Sequence, residues 1–399
     1  MTMKKIFAFL GFALVCFAAD AQYYYQDFKN SEMLRHGTYH QPCRTEIVLP
    51  QVNGYNVYKA DLHTHTVYSD GNVLPSYRVM EAWQDGLDIM AVTEHVEFRP
   101  HESTFVEYLE QYTGRKHKEA KNNRIVNKEA DKDGIMVDLN FCVRVSQKAA
   151  AKYGLTIIPG TEITRDGKKI GHFNALFTTD NNVIYDPDPL VAIRNAKAQN
   201  AIVMHNHPGW TRTSLDYTEV ETVAYDEGLI DGVEVMNGIE FYPGIIDRVR
   251  ERNLFIAANT DIHATTASEY RNNGATRPMT LILAKDKSLE SVREALEAGR
   301  TLAFGFNTLC GEEQLLKDFF VAGMKTEVIS TDKDGRSVVM VTNLTSVPYL
   351  IKIGNGNPIY LDPFKTVSLT SGKGSGTLKF TVLNMFCSAD AHPVVELSF

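Results

Sequence analysis

The sequence predicts an α/β fold, a parallel sheet wrapped by helices and most simply a barrel, followed by a small antiparallel β-sandwich domain. Three observations predict it. From about residue 55 to 306, short apolar runs alternate with segments whose apolar residues recur at three- and four-residue spacing, the rhythm of strand, helix, strand. Acids or histidines stand at the ends of nearly all these runs. From about Leu316 the helical rhythm stops, and β-rich runs broken by Asp-Gly, Gly-Asn-Gly and Ser-Gly turns take over.

The N-terminus carries Lys4 and Lys5, an apolar run from Ile6 to about Ala19, and a small-x-small pattern, Ala19-Asp20-Ala21, before Gln22. This predicts a secretory signal over residues 1–21 and a mature chain in the periplasm or outside the cell. The run is shorter than the ~20 apolar residues of a membrane span, and no later segment is apolar enough to be one. Removing the signal takes away two lysines and one aspartate, a net +1, so the formal charge of −8 becomes −9. An acidic, unpatterned surface argues against a general nucleic-acid backbone binder, and no protein partner is implied. Cys43, Cys142, Cys310 and Cys387 remain, far apart and without a CxxC pair. They indicate neither a thiolate zinc site nor a disulfide scaffold, although the compartment permits bridges.

The barrel strands are expected in "YNVYKADLH", "LDIMAVTEH", "LTIIPGTEI", "HFNALFTT", "AIVMHNH", "GVEVMN", "NLFIAANTDIH", "MTLILAKD" and "TLAFGF". Helices are expected in "PSYRVMEAWQDG", "DPLVAIRNAKAQN", "IIDRVRERN" and "SLESVREALEAG". The domain plan is a barrel over residues 22–315 and a β domain over 316–399. A highly charged, mostly helical insertion at about 99–154 reads as a solvated excursion on the rim.

Chemistry in a barrel belongs at the C-terminal ends of its strands. Along a strand, His63 and His65 of "DLHTHTVYSDG" point to the same side. Asp70 lies in the turn beyond, His95 ends "IMAVTEH", Glu162 ends "TIIPGTE", and His172 opens "GHFNALF". His207 sits in "VMHNHPG", and Asp261 and His263 close "AANTDIH". A lone histidine of this kind is more often a hydrogen-bonded core group. Six histidines and three acids at one topological point are not explained by independent structural roles. Nine nitrogen and oxygen donors exceed what one ion uses, so two or three divalent cations are expected, with Glu162 as a bridging carboxylate. Imidazoles favour zinc, manganese or iron over magnesium. His205 is expected as a support or pocket wall, Glu94 as a supporting group on the opposite strand face, His101 and His117 as solvated, and His392 as structural.

In order and approximate spacing, "HTHTVYSDG", "VTEH", "PGTEIT", "GHFNALF", "HNHPG" and "NTDIHA" resemble the motifs of the PHP (polymerase and histidinol phosphatase) family over about residues 57 to 306. The resemblance implies a distorted (β/α)7 barrel with a bi- or trinuclear metal centre. It places His63, His65, Glu162 and Asp261 on one metal, Glu162, His172 and His207 on a second, and Asp70, His95 and His263 on a third. Family members often carry histidine where this chain has Asp70. The exported chain, the "HPGW" motif, "TRPMTLILA" and the β-rich tail look like a group of secreted bacterial PHP phosphodiesterases.

With two cations about 3.5–4 Å apart, a bridging water becomes hydroxide near neutral pH and attacks phosphorus in line. Glu162, Asp261 and His263 are expected to serve this step. Arg165 and Arg277 are placed by sequence near the rim, where guanidinium would match phosphate oxygens. Trp210 and Tyr68 are candidates to line a leaving-group pocket. The leading expectation is a metal-dependent phosphoester hydrolase acting on a small substrate, diesters ahead of monoesters. Alternatives are a histidinol-phosphatase-like monoesterase, an amide or lactone hydrolase using the same hydroxide, and a non-enzymatic glycan- or protein-binding module.

Overall fold

Strands buried on both faces read as unbroken apolar runs, and the central runs of this chain are such strands. The computed structural model describes residues 43–101 and 138–399. The signal expected over residues 1–21, His117 and most of the charged insertion lie outside the described residues. Among the described residues no helix is long and apolar enough to cross a membrane.

The central strands are β1 (Asn56–Asp61), β2 (Ile89–Val92), β3 (Thr156–Ile163), β4 (His172–Leu176), β5 (Ile202–Asn206), β6 (Gly232–Asn237), β7 (Glu240–Phe241), β8 (Phe255–Asn259), β9 (Met279–Ala284), β10 (Thr301–Gly305) and β11 (Thr308–Cys310). Helices α1 (Pro75–Gln84), α2 (Phe141–Ala150), α3 (Pro189–Ala198), α4 (Glu219–Asp226), α5 (Gly244–Arg252), α6 (Thr266–Glu269) and α7 (Leu289–Glu297) connect or cover them. With a late strand from the β domain they form one curled twelve-stranded sheet. The sheet is mixed, where the sequence rhythm alone predicts a parallel one. Pairs β1–β2, β2–β3, β5–β6 and β6–β8 are parallel. Pairs β3–β4, β4–β5, β1–β9 and β9–β10 are antiparallel. The reason at β3–β4 is the link: Thr164–Gly171 holds no helix and is too short for a crossover, so the chain must turn back. That reversal brings the first residue of β4, His172, to the end of the sheet where β3 finishes.

At the free edge of β8, hydroxyls stand in for a backbone ladder. The amide of Ile256 donates to Thr301 Oγ1 at 3.1 Å, and that of Ala258 to Thr280 Oγ1 at 3.0 Å. Helix α2, from the C-terminal part of the charged insertion, is not a solvated excursion. It buries Cys142, Val143, Ser146 and Ala150, and beside it Tyr153 meets Trp83 of α1 with ring centroids 5.1 Å apart.

The chain then enters α8 (Glu313–Ala322), a helix continuing past the residue where the sequence rhythm seemed to end. Glu312 caps it by accepting from the amides of Gln314 and Leu315. Its buried side, Leu316, Phe319 and Phe320, faces a β domain of strands β12 (Met324–Thr331), β13 (Ser337–Asn343), β14 (Tyr349–Lys352), β15 (Ile359–Leu361), β16 (Thr366–Thr370), β17 (Thr377–Val382), β18 (Met385–Phe386) and β19 (Val394–Ser398). One sheet orders β12-β13-β16 and the other β15-β14-β17-β19, all antiparallel. Alternate residues point inward, as Val339 and Val341 on β13 and Leu378, Phe380 and Val382 on β17 do. This core is continuous with that of the curled half-barrel sheet, since one apolar cluster holds Phe320, Tyr349 and Phe380 together with Met279, Leu281 and Leu302. Strand β18 joins the barrel sheet outright, pairing parallel with β11. Among the described residues no disulfide is formed.

Candidate metal centre

The nine candidate ligands gather at one end of the curled sheet because backbone pairing runs past the formal strand ends. Thr64 bridges Ile262 and His95 bridges Glu162, both in parallel register. The amide of Asp261 donates to His63 O at 3.0 Å, and that of Asn72 to His263 O at 2.8 Å. Buried Arg78 fastens the same loops from behind, donating to the carbonyls of His65, Ile262, His263 and Ala264. Gly71 closes the turn after Asp70: a Cβ there would lie 2.8 Å from the backbone of His65 and Thr66. Asp261 (φ 53°) and His207 (φ 25°) adopt left-handed backbone, an unfavourable conformation that the surrounding ladder imposes.

His207 shows what this strain achieves. Alternation along β5 alone would put His205 and His207 on one side. Instead, Asn206 faces the cluster, donating to Glu162 Oε1 at 3.0 Å, and His205 points away. His205 lies against Tyr225 (Nδ1 to the hydroxyl, 2.9 Å) and Glu221 (2.9 Å) and stacks on Phe173. The left-handed turn at His207 then swings its ring back to within 3.8 Å of Glu162 and 3.7 Å of Asp261.

Glu162 divides the cluster. Its Oε1 faces His172 at 3.1 Å and His207, while its Oε2 faces His63 and His65, each at 3.6 Å, and His95 at 2.6 Å. Asp261 Oδ1 lies 3.2 Å from His63 and 3.0 Å from His65. Asp70 Oδ1 lies 3.2 Å from His95 and 3.1 Å from His263. The floor, His63, His65 and Glu162, is fully buried; the side chains of Asp70, Asp261 and His263 are 19%, 21% and 35% exposed. The cluster is therefore open to solvent on the side of these three residues.

Outer contacts fix the ring orientations. His172 Nε2 lies 2.8 Å from Arg165 O, and His263 Nδ1 lies 2.7 Å from Asp261 O. Carbonyls only accept, so these nitrogens carry the hydrogen and the opposite nitrogens turn lone pairs to the cluster. Glu234 does the same for His63 (Nδ1, 2.9 Å) while accepting from the amide of His207 and from Asn237 and Asn259. Glu94 accepts from Thr66, Ser69 and Cys142, the supporting role expected of it. Glu234, Asn206 and Arg78 are absent from the sequence expectations. An acid inside the apolar run "GVEVMN" was the available signal for Glu234.

The charges are strongly coupled. Burial opposes protonation of His63, but the carboxylates of Asp261, Glu234 and Glu162 outweigh it and hold its pKa well above the ordinary imidazole value. His95 rises to about 10 against its own burial because Glu162 and Asp70 face it. His65 falls to about 4 through burial and the neighbouring His95 and His263. Glu162, Asp70 and Asp261 stay below the usual carboxylate range despite burial, held down by the surrounding histidines.

Two expected substrate groups are corrected by the structure. Arg277 is buried and paired with Asp61 and with Asp85 at 3.2 Å. Arg165 is 7% exposed, paired with Glu97, and donates to the carbonyls of Thr164 and Asp186. Both guanidiniums fasten loops, since a buried charge must be paired, and neither lies open on the rim. Tyr68 packs on Phe141 of α2, ring centroids 5.6 Å apart. Trp210 does flank the cluster: its ring lies 5.3 Å from those of both His172 and His207, and it is 44% exposed.

The residues fit a group of divalent cations on one decisive observation. His63 Nε2, His65 Nε2, Asp70 Oδ1, Glu162 Oε2 and Asp261 Oδ1 are buried and crowd other ring nitrogens and carboxylates at 2.6–3.6 Å without meeting hydrogen-bond geometry, a costly state for five converging polar atoms. Three sets of ligand atoms lie mutually within 4.8 Å: His65, Asp70, His95 and His263; His63, Glu162 and His207; His63, His65 and Asp261.

A PHP domain model matches residues 61–353, and the chain belongs to the PHP domain family. It is similar to the crystal structure of a two-domain protein containing a predicted PHP-like metal-dependent phosphoesterase from Bacteroides vulgatus ATCC 8482. The two are 31% identical over 89% of this chain and 99% of the other, with TM-score 0.76. The chain is thus a homologue of a PHP-like metal-dependent phosphoesterase. Weaker likenesses are to a lesion-specific endonuclease of Pyrococcus furiosus (16% identity, 64% of this chain and 59% of that one, TM-score 0.38) and an amidohydrolase of Chromobacterium violaceum (13%, 51% and 87%, 0.33). No curated protein matches the chain.

Proposed function

We propose that the chain is a metal-dependent phosphoester hydrolase that prefers diesters. The observation that carries this reading is the convergence of five buried donor atoms that meet no hydrogen-bond geometry in a member of the PHP domain family. The proposed ligands are His63, His65, Asp70, His95, Glu162, His172, His207, Asp261 and His263, with Glu162 shared through its two oxygens. Bound divalent cations supply a nucleophilic water at neutral pH and neutralise charge on the phosphoryl oxygens.

The chain's own groups do the rest. Glu162 and Asp261, without competing hydrogen bonds at Oε2 and Oδ1, hold the floor of the site in fixed geometry. His263 keeps its Nδ1 hydrogen on the carbonyl of Asp261 and so holds its Nε2 lone pair on the cluster beside Asp70, while the leaving oxygen takes its proton from water. The apolar ring of Trp210 covers the His172–His207 side. Export of the chain belongs to the same proposal and is checked by N-terminal sequencing of secreted material, which should begin at Gln22.

Protein loaded with zinc or manganese, assayed on a chromogenic diester, the matching monoester and an anilide, tests the reading. Turnover should be fastest on the diester, disappear with chelation and return with metal. Preferential cleavage of the anilide would overturn it in favour of amide hydrolysis.

A further inference from the structure

The carboxylate of Glu162 gives the cluster two ends, and each end carries an exposed aromatic ring. Oε1 leads to His172 and His207, and beyond them to Trp210 at 5.3 Å from both rings. Oε2 leads to His95, whose ring stands 6.0 Å from that of Phe98 in an edge-to-face arrangement. Trp210 is 44% and Phe98 40% exposed, although large aromatic side chains are ordinarily buried. Trp210 is also held in place. Gly167 lies so close under its six-membered ring that a Cβ there would meet Cε3 and Cζ3 at 2.9 Å. Arg212 ties Gly167 to α4, donating to the Gly167 carbonyl at 2.7 Å and to Glu221 at 2.7 and 3.0 Å. The two arginines expected to grip phosphate are consumed by Glu97, Asp61 and Asp85.

The geometry points to a two-walled cleft in which Trp210 and Phe98 each receive one ester substituent of a phosphodiester, both substituents being planar aromatic groups, aryl or nucleobase-bearing. This rests on the phosphoesterase reading and deepens it. A phosphate lying over Glu162 between the two rings projects one arm to each, and rings accept other rings by stacking or edge contact. A monoester fills one wall only.

The test uses the full metal-loaded chain. With bis(4-nitrophenyl) phosphate, Trp210→Leu and Phe98→Leu should each raise KM by roughly 3- to 10-fold, the size of a lost aromatic contact, at unchanged metal content. With methyl 4-nitrophenyl phosphate only one variant should lose, and Trp210→Phe and Phe98→Tyr, which keep a ring, should restore the diaryl KM. A dinucleoside phosphate in place of the diaryl ester separates nucleobase from aryl recognition. Binding is read independently of turnover in the Trp83→Phe background, where Trp210 is the sole indole. Diphenyl phosphate should change its emission, and Phe98→Leu should weaken that binding by a similar factor. Equal KM and equal diphenyl phosphate binding in wild type and both variants would overturn the two-walled cleft while leaving the hydrolase reading intact. Emission changes without turnover of any phosphoester would overturn the hydrolase reading and keep the cleft.

Discussion

At the scale of the residue, the imidazole of His63 meets the cluster with Nε2 only because Glu234 occupies Nδ1 at 2.9 Å. The same carboxylate holds the amide of His207, so one buried acid orients ligands on both sides of Glu162. Glu234→Gln keeps the size of the side chain but weakens its hold on His63 and the basicity of the ring. Metal affinity, measured by competition with a chelator, should fall ~10- to 100-fold, with the far-ultraviolet circular dichroism unchanged; unchanged affinity would remove Glu234 from the account of the site. The convergence of these nine side chains was legible in sequence because imidazoles and acids at strand ends have few other uses. The direction of a ring was not. Alternation puts His205 and His207 on one side, and the sequence separates them only by the His-Pro-Gly turn at the strand end; the φ of 25° at His207 is what turns its ring to the cluster. Arg165 and Arg277 were misread because sequence order places them near the rim but cannot show that Glu97, Asp61 and Asp85 take their charge.

At the scale of the element, helix α4 secures the loop that carries His172. Thr218 and Glu221 form a capping box at its N-terminus, and Glu221 also accepts from Arg212 and lies 2.9 Å from His205. Burial favours the protonated acid, but the hydrogen bonds from His205, Arg212 and the Thr218 amide prevail and hold Glu221 at about 2, below its ordinary 4.5. A depressed folded value means the stabilisation is fully present above about pH 4.5 and is lost as pH falls through about 2. Glu221→Gln should therefore unfold more easily at pH 6, by roughly 2–3 kcal/mol, and the gap to wild type should narrow steadily on acidification to pH 2.5. Urea midpoints across that range measure it; a gap independent of pH would show that the carboxylate charge is not what α4 uses. Element types were mostly readable from periodicity. Strand direction was not readable even where a helix intervened, since α3 and α7 precede β5 and β10 and both pairs are antiparallel, and the short Thr164–Gly171 link, with its antiparallel consequence for β4, carries no periodic signal.

At the scale of the whole molecule, barrel and β domain share one apolar core through Phe320, Phe380, Met279 and Leu302, and β18 extends the barrel sheet. Removing a ring on one side should be felt on the other. Phe380→Ala, deep in the β domain, should cost about 3–5 kcal/mol. Both tryptophans, Trp83 and Trp210, lie in the barrel, so their fluorescence in a denaturant titration should report that loss as a shifted single transition. An unshifted barrel transition would mean that the two parts unfold independently. The change from barrel to β domain was legible in the turn-rich composition after Leu316, but the shared core was not, because inward-facing residues of a sandwich look alike whatever they cover.

The direct test of the metal centre is an anomalous difference map from crystals of the full chain soaked with zinc or manganese. Peaks within roughly 2.0–2.3 Å of His63 Nε2, His65 Nε2, Asp261 Oδ1 and Glu162 are the predicted result, with further density between Asp70, His95 and His263. A map without peaks at these atoms, or with metal bound only at surface carboxylates, would contradict it.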